Sequence, residues 1–537
     1  MTRRAAALLL VLLVLLAGLG CASAPAGRTS TTHEQDPLVP GPQQAVILDL
    51  GFDALVQRIR LIRAARTRID VQTFIYADDA AGRLVLAELA AAADRGVRVR
   101  LLVDAMFNGL PAQRLAWVRS HHPGLAIAVY NPRPSAVVPA RRDLQDEVDA
   151  GLNHRMHNKL LVVDGEQGIT GGRNHEDAYF DVNPGLNYRD REILVHGPVV
   201  RRMAACAAAW WFHPLVVPVD ALAEVAAAAG MPAPDAVDAR MERLRAVVDR
   251  HLAAAPSPAW RTVEQAAFLW DVPGRPEEAA VASTAHGLQR VVRGAARELH
   301  IVSPYCVMNG PTLDLVRDLG ERGITVRILT NSLASTDAWW AYGGYLRDRR
   351  RLVAAGVDLR ESRPRPGDLA AMWSTDPEVA ELRAGGTRAP FLSLHAKCLL
   401  VDGAVGAIGT FNLDPRSKHI NTEQVLMVWG AGIVGDLAGL MRRDGAPANA
   451  WRVGRRDISP LHAPLVRLSE WTGDWLSLDL YPVQPTTCFA PRDGAPPEPA
   501  FPGPDWVDAG PGPEASEDDA DAAAWMKTFG AVITPLL

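Results

Sequence analysis

The feature that most constrains this chain is a phrase it writes twice. Asn153 to Asn174 reads NHRMHNKLLVVDGEQGITGGRN, and Ser393 to Asn412 reads SLHAKCLLVDGAVGAIGTFN. Both copies hold five residues at one spacing: His157, Lys159, Asp164, Gly171 and Asn174, then His395, Lys397, Asp402, Gly409 and Asn412. A lone His-x-Lys on an apolar strand is usually a structural pair, but the duplication reverses that reading and marks the positions as functional.

On a strand, side chains two apart share a face, so each histidine stands beside its lysine while Cys398 faces the other way, into a core. The apolar runs after each lysine predict buried strands, and Asp164-Gly165 and Asp402-Gly403 predict two-residue hairpin turns. Gly171 and Gly409 would let backbone N–H groups approach an anion, and Asn174 and Asn412 add neutral donors. Donors, a cation and a titratable nitrogen together are equipment for a phosphate. The HRMH cluster of His154 and His157 is a poor metal site: further ligands are missing, the second copy lacks the first histidine, and lysine repels a cation. No metal or cofactor is expected. There is no G-x-S-x-G for a serine hydrolase.

The surroundings repeat as well. Helices over 53–65 and 80–95 alternate with strands over 69–76 and 97–104, and the second half predicts helices over 287–297 and 312–322 with strands over 299–304 and 324–331. Arg95 to Leu102 (RGVRVRLL) and Arg322 to Leu329 (RGITVRIL) are the clearest echo. The fold class is therefore α/β, a tandem duplication of one unit whose two pseudo-symmetric halves share one site.

Thr2-Arg3-Arg4 followed by the apolar 5–19 run is a secretory signal, too short for an ordinary membrane span. Gly20-Cys21 resembles a bacterial lipoprotein cleavage site, and a Ser/Pro/Thr-rich tether follows, so we expect lipidation at Cys21 rather than simple secretion after Ala22-Ser23-Ala24. The expected divisions are a signal over 1–21, a linker over 22–44, a first domain over 45–217, a helical connector over 218–262 and a second domain over 263–445. A C-terminal extension over 446–490 and a poorly ordered Pro/Gly/acidic tail over 491–537 complete the chain. The insertion over 364–390 is expected to be either a loop for substrate selection or a lid beside the site or a passive surface loop, and Trp471, Trp475 and Leu476 are expected to cover core rather than meet lipid. A net charge of −5 argues against nucleic acid as a partner. The four cysteines beyond Cys21 are too scattered for a disulfide framework.

The paired motifs resemble the H-x-K-x4-D signatures of the phospholipase D superfamily. SPYC at Ser303, TNSLASTD at Thr330 and NLDPRSKHINTE at Asn412 resemble the bacterial cardiolipin synthases in particular. Where that family usually has Gly-Ser-x-Asn, this chain has Gly171-Gly172-Arg173-Asn174 and Gly409-Thr410-Phe411-Asn412, so Thr410 keeps a hydroxyl that Gly172 lacks. The resemblance implies a phospholipase D-like α/β sandwich, His157 as nucleophile and His395 as acid and base, and Asp190 and Glu423 as carboxylates orienting the imidazoles.

One half alone cannot displace a phosphodiester, because a nucleophile and a proton donor must stand on opposite sides of phosphorus. Two copies supply both: one histidine forms a phosphohistidine, the other protonates the leaving alkoxide and then activates the incoming alcohol. Lys159, Lys397, Asn174 and Asn412 would hold the anionic oxygens. The expected function is a phosphatidyltransferase that makes cardiolipin from phosphatidylglycerol at the periplasmic face of a bacterial envelope, held there by its lipid anchor, with the outer membrane favoured. Hydrolysis by a phospholipase D, a nuclease and a non-catalytic lipid-binding module are the alternatives. The residues leave the acceptor and any accessory protein open.

Overall fold

The computed structural model describes residues 38–138, 154–232, 238–254, 258–274, 283–384, 390–458, 464 and 485–516. Parallel strands Arg68–Thr73, Arg98–Asp104 and Leu125–Tyr130 alternate with helices Gly51–Ala64, Ala80–Asp94 and Ala112–His121. The hairpin Leu160–Val163 and Gln167–Gly171 pairs antiparallel beside Arg68–Thr73, and Glu192–His196 continues the sheet to Leu38–Leu48. The second half repeats this order: Asp358–Ser362, Thr325–Asn331, Glu298–Val302, Cys398–Val401, Val405–Gly409, Gln424–Trp429 and Arg261–Trp270. Leu38–Leu48 and Arg261–Trp270 pair antiparallel at the seam, so both halves belong to one 18-stranded sheet.

Local chemistry explains the repeat. Asp79 caps helix Ala80–Asp94 by accepting from Gly82 N, and Asn309 caps helix Gly310–Glu321 by accepting from Thr312 N. Gly96 (φ 91°) and Gly323 (φ 78°) then turn the chain into the next strand, which is why the Arg-Gly echo survives in both halves. At the hairpin tips Asp164 and Gly165 have φ of 53° and 71°, and Asp402 and Gly403 have 54° and 64°. Positive φ at both central residues is the mark of a type I′ turn, whose twist matches the flanking strands.

Among the described residues three large apolar cores form, with a small fourth cluster of Ala267, Ala407, Val425 and Met427. One lies under the first-half helices and includes Leu244, Val247 and Val248 of the connector helix Ala239–Ala254. A second lies between the halves around Trp210, Ile193, Phe268 and Leu394, and a third lies under the second-half helices. The halves are also clasped by buried charge. Asp49 receives Arg191 Nε at 2.9 Å and Arg443 Nη2 at 2.8 Å, while Asp444 receives Arg189 Nε at 3.2 Å and also pairs with Arg191.

Several boundaries differ from expectation. The linker ends before Leu38, because Leu38 to Ala45 already pair with Ala267 to Arg261; a register shift between Pro40 and Gln43 absorbs Gly41 and Pro42. The extension over 446–490 contributes strands Ala450–Arg455 and Thr486–Pro491, and the tail adds Trp506–Gly510 to the same sheet edge. Phe489, Phe501 and Trp506 pack edge to face there, which orders a stretch whose proline and glycine content had suggested disorder. The insertion over 364–390 is no passive loop. Its helix Pro377–Arg383 puts Val379 and Leu382 into the first-half core, Ser374 N donates to Asp181 at 3.0 Å, and His251 meets Asp376 at 2.8 Å. Cys21, Trp471, Trp475, Leu476 and residues 517–537 lie outside the described residues.

Candidate active site

Each His-x-Lys enters the site by pairing with the opposite half. His157 N donates to Thr422 O at 3.1 Å, and Thr422 N donates to Arg155 O at 3.1 Å. Strand Phe391–Leu394 runs parallel to Leu186–Arg189, and His395 N donates to Arg189 O at 2.8 Å. The residue after Thr422 is Glu423 and the residue after Arg189 is Asp190, so the carboxylates cross over. His157 Nδ1 lies 2.9 Å from Glu423 Oε2, and His395 Nδ1 lies 2.6 Å from Asp190 Oδ2. A carboxylate partner places the proton on Nδ1 and leaves the lone pair on Nε2, which at His395 faces Tyr179 OH at 3.5 Å. Each half therefore holds the tautomer of the other half's histidine.

The lysines lie against the same imidazoles. Lys159 Nζ donates to His157 O at 2.9 Å and sits 5.0 Å from the centre of the Phe74 ring. Lys397 Nζ donates to His395 O and lies 2.9 Å from His395 Nδ1, which has no lone pair to offer once its proton points at Asp190. The contact therefore opposes positive charge on the ring. Phe74 meets His157 edge to face at 4.9 Å, and Tyr179 meets His395 in the same way at 5.1 Å.

Burial and this crowding of cations set the charges. Burial, reinforced by Lys159 and Lys397, holds His157 well below its ordinary pKa. Burial and Lys397 lower His395 to about 4, although Asp190 pulls the other way. Both imidazoles are thus neutral at neutral pH and competent as bases. Burial lowers Lys397 to about 8, and burial together with Lys397 depresses Lys159 well below its ordinary value. A phosphodiester anion reverses both lysine effects by favouring the ammonium forms. The carboxylates differ: burial pushes Glu423 well up, whereas Asp190, equally buried, is held below the carboxylate range by His395 and Lys397. The ionised Asp190 favours an imidazolium at His395, and Glu423, with its pKa raised by burial, gives a charged His157 less support.

His157, Lys159, His395, Lys397, Asp190 and Glu423 all come together as expected from sequence. Asn174 is placed by accepting from Ile75 N at 3.0 Å, and its Nδ2 donates to Tyr179 OH at 2.8 Å. Asn412 is buried in the equivalent position, with no hydrogen-bond partner for Oδ1 among the described residues. Asp164 and Asp402, expected among the catalytic residues, stand at the far ends of their hairpins. Asp164 accepts from the backbone N–H groups of Arg66, Thr67 and Arg68, and Asp402 from those of Ala296, Arg297 and Glu298, all between 2.7 and 2.9 Å. They tie each hairpin to the turn before the neighbouring strand. Gly171 and Gly409 also differ from expectation: a Cβ on either would sit 2.3 Å from Arg191 O or Gln424 O, so glycine serves the close approach of the adjoining strand. Gly172 N and Thr410 N are likewise engaged by backbone carbonyls, which leaves lysine and asparagine side chains as the anion donors.

The departure at Gly172 has a physical reason. A Cβ there would lie 2.2 Å from Asp190 Oδ1, because the carboxylate fills that space and accepts from Arg191 N at 2.6 Å. In the other half the space is larger: Thr410 Oγ1 donates to Glu423 Oε2, and Ser417 Oγ donates to Glu423 Oε1 at 2.6 Å. Thr410 thus holds a carboxylate rather than a phosphate. Sequence reasoning missed Ser417, Phe74 and Tyr179. Ser417 and Tyr179 each follow their asparagine by the same interval, and that spacing is the signal by which they could have been found.

Comparisons with known proteins agree with this geometry. The family model described as "Cardiolipin synthase, PLD-like domain" matches residues 58–195 and 288–444, one match per half. A cardiolipin synthase C from Escherichia coli (strain K12) is 32% identical over 406 residues, covering 72% of this chain and 82% of that one. A major cardiolipin synthase from Bacillus subtilis (strain 168) is 23% identical, covering 74% of this chain and 68% of that one. The crystal structure of the phosphatidylserine synthase of Haemophilus influenzae Rd KW20 superposes with a TM-score of 0.52 at 15% identity, over 81% of this chain and 94% of that one, and shares the fold. With both His-x-Lys copies assembled into one site and a family match spanning each half, the chain belongs to the cardiolipin synthase family of phospholipase D-like proteins.

Proposed function

We propose that this protein is a phosphatidyltransferase that forms cardiolipin and glycerol from two molecules of phosphatidylglycerol. The observation that carries the reading is the pair of buried neutral imidazoles, each oriented by the opposite half's carboxylate and each beside a lysine. In the first step His395 takes up a proton from solvent as the anionic substrate binds, His157 Nε2 attacks phosphorus, the bond to the headgroup glycerol breaks, and the departing alkoxide takes that proton from His395. In the second, neutral His395 takes the proton of a second phosphatidylglycerol's headgroup hydroxyl. That oxygen attacks phosphorus, releasing His157 and leaving His395 protonated until the product leaves. Lys159 and Lys397 stabilise the charge that builds on the equatorial oxygens. The ionised Asp190 supports His395 as the proton carrier and the raised Glu423 supports His157 as the nucleophile.

The test is incubation of the purified protein with headgroup-labelled phosphatidylglycerol, with and without added alcohols. Cardiolipin and free glycerol in equal amounts support transfer; phosphatidic acid as the sole lipid product makes the protein a hydrolase instead.

A lipid anchor on Cys21 would hold the enzyme at the outer-membrane surface facing the periplasm. The basic Arg3-Arg4 start, the apolar run ending at Cys21 and Ala22 after it support this. No helix among the described residues is long and apolar enough to cross a membrane. Cys21→Ser should shift the protein out of the membrane fraction and lower its activity in cells while leaving turnover of dispersed lipid intact. A wild-type mature chain that begins after Ala24 and fractionates as soluble overturns the anchor.

A further inference from the structure

The two halves match in sheet order but not in how their outer cores are filled. In the first half the facing pair Val71 and Leu161, on adjacent strands, is buried beneath helices Gly51–Ala64 and Ala80–Asp94, with the connector helix packed in. The equivalent pair in the second half, Ile301 and Leu399, is only half-buried. Both line a cavity of about 300 Å³ between the sheet and helices Thr284–Arg293 and Gly310–Glu321. The reason is visible in the helices. Gly51–Ala64 buries Phe52, Leu55, Val56, Ile59 and Ile62, whereas Thr284–Arg293 buries only Thr284 and Gly287 and leaves Leu288, Val291 and Val292 half-buried. A void of ~150 Å³ is enough to bind benzene, and this one is about twice as large.

The cavity also has a direction. Ser303, Lys397, Gly409 and Asp414 line it at the catalytic edge of the sheet, and Leu299, which pairs with Val401, lines it at the other. From Lys397 to that level the strand advances four residues, a span of roughly 13 Å at about 3.3 Å per residue. The walls between are mostly aliphatic, from Leu288, Val292, Leu315, Val316, Ala407 and Val425, with polar side chains, Gln289 and Thr312 among them, on the two helices beside them. A long apolar cavity that opens beside a phosphate-binding lysine fits an amphiphile whose anionic head lies in the site and whose hydrocarbon chain runs away from it. We propose that this second-half cavity is an acyl-chain subsite, holding the outer part of one fatty-acyl chain of a phospholipid whose phosphate rests against Lys397. The inference rests on the phosphatidyltransferase reading and goes beyond it by giving one substrate tail a defined seat, in one half only.

The test uses the full-length enzyme and phosphatidylglycerols of increasing chain length, each kept below its micellar concentration. Each methylene that reaches the cavity should raise kcat/KM about fourfold, the factor corresponding to burial of one CH₂. Leu288→Trp and Val292→Trp project an indole into the space from a helix surface. In each, the chain-length dependence should fall below twofold per methylene, and the ratio of kcat/KM for the longest lipid to that for deacylated glycerophosphoglycerol should drop at least tenfold. A phosphatidylglycerol with a diazirine at one acyl terminus should label peptides covering 284–293 or 310–321 in the wild type. Variants with the wild-type chain-length slope, or label confined to other peptides, overturn the subsite. Cardiolipin synthesis with no chain-length dependence removes this inference alone, whereas failure to turn over any phosphatidylglycerol removes the function beneath it.

Discussion

Gly172→Ala introduces a single methyl group at the point where the two halves of the site differ most. Its Cβ would stand 2.2 Å from Asp190 Oδ1, 2.5 Å from Oδ2 and 2.7 Å from Cγ, well inside contact distance. Asp190 is fully buried, so the carboxylate has to swing off its bond to His395 Nδ1, now 2.6 Å, or off Arg191 N, also 2.6 Å. A hydrogen bond to a charged group contributes about 1.5–3 kcal/mol. At about 1.4 kcal/mol per factor of ten, loss of the His395 bond lowers kcat roughly 10- to 150-fold. The overpacking itself should destabilise the fold by about 1–3 kcal/mol. The assay is steady-state release of labelled glycerol alongside a thermal melt. The expected result is a large loss in kcat with a modest fall in Tm, even though the change moves the side chain toward the serine that the wider superfamily places here. Wild-type kcat in a folded Gly172→Ala protein would refute the claim that Asp190 fills this space and orients His395.

The crossed carboxylates predict a specific coupling pattern: in double-mutant cycles, Asp190→Asn should be strongly non-additive with His395→Ala and nearly additive with His157→Ala, and Glu423→Gln should show the reverse. Because Lys397 is lowered to about 8 and must be an ammonium to hold the phosphate, kcat/KM should fall as pH rises through about 8, and Lys397→Arg should move that limb upward. His395, lowered to about 4 in the free site, should take up a proton when an anion binds, so calorimetry of inorganic phosphate binding at pH 7 should show buffer-dependent heats. Asp444→Ala removes one of the two carboxylates that hold Arg189 and Arg191, which keep Asp49, and should destabilise the fold by less than the ~3–5 kcal/mol of a wholly unpaired buried charge, read by denaturant unfolding. Asp49 and Asp444 are both held below the usual carboxylate range, against burial, by Arg189, Arg191 and Arg443. Their stabilisation is therefore complete above about pH 4, the unfolded value, and is lost as pH falls through the lower folded values.

Much of the site was legible because its grammar is local. The strand alternation that puts His157 beside Lys159, the Asp-Gly pairs and the Arg-Gly echoes all act over a few residues, and each appears in the structure where the pattern put it. What the pattern could not carry was long-range partnership. Asp164 and Asp402 share the motif with the histidines, yet their carboxylates answer to backbone amides brought alongside by the fold. The crossing of Glu423 to His157 depends on Thr422 pairing with Arg155 and Met156, a contact with no trace in local sequence. The same limit explains the tail and the insertion: proline and glycine around Phe501 suggested disorder, but Phe489, Phe501 and Trp506 find one another across strands. Helix Pro377–Arg383 was unremarkable as sequence because its apolar residues find their core in the other half.

The central claim is that His157 carries the phosphatidyl group between donor and acceptor while His395 moves the proton. The most direct measurement is rapid quenching of the enzyme with phosphatidylglycerol into mild base, followed by peptide mass spectrometry to locate a phosphorus-linked adduct. The account predicts a phosphatidyl group on His157, discharged to cardiolipin when more phosphatidylglycerol is added and absent in His157→Asn. An adduct on His395 instead, or cardiolipin formed at full rate by His157→Asn, contradicts it.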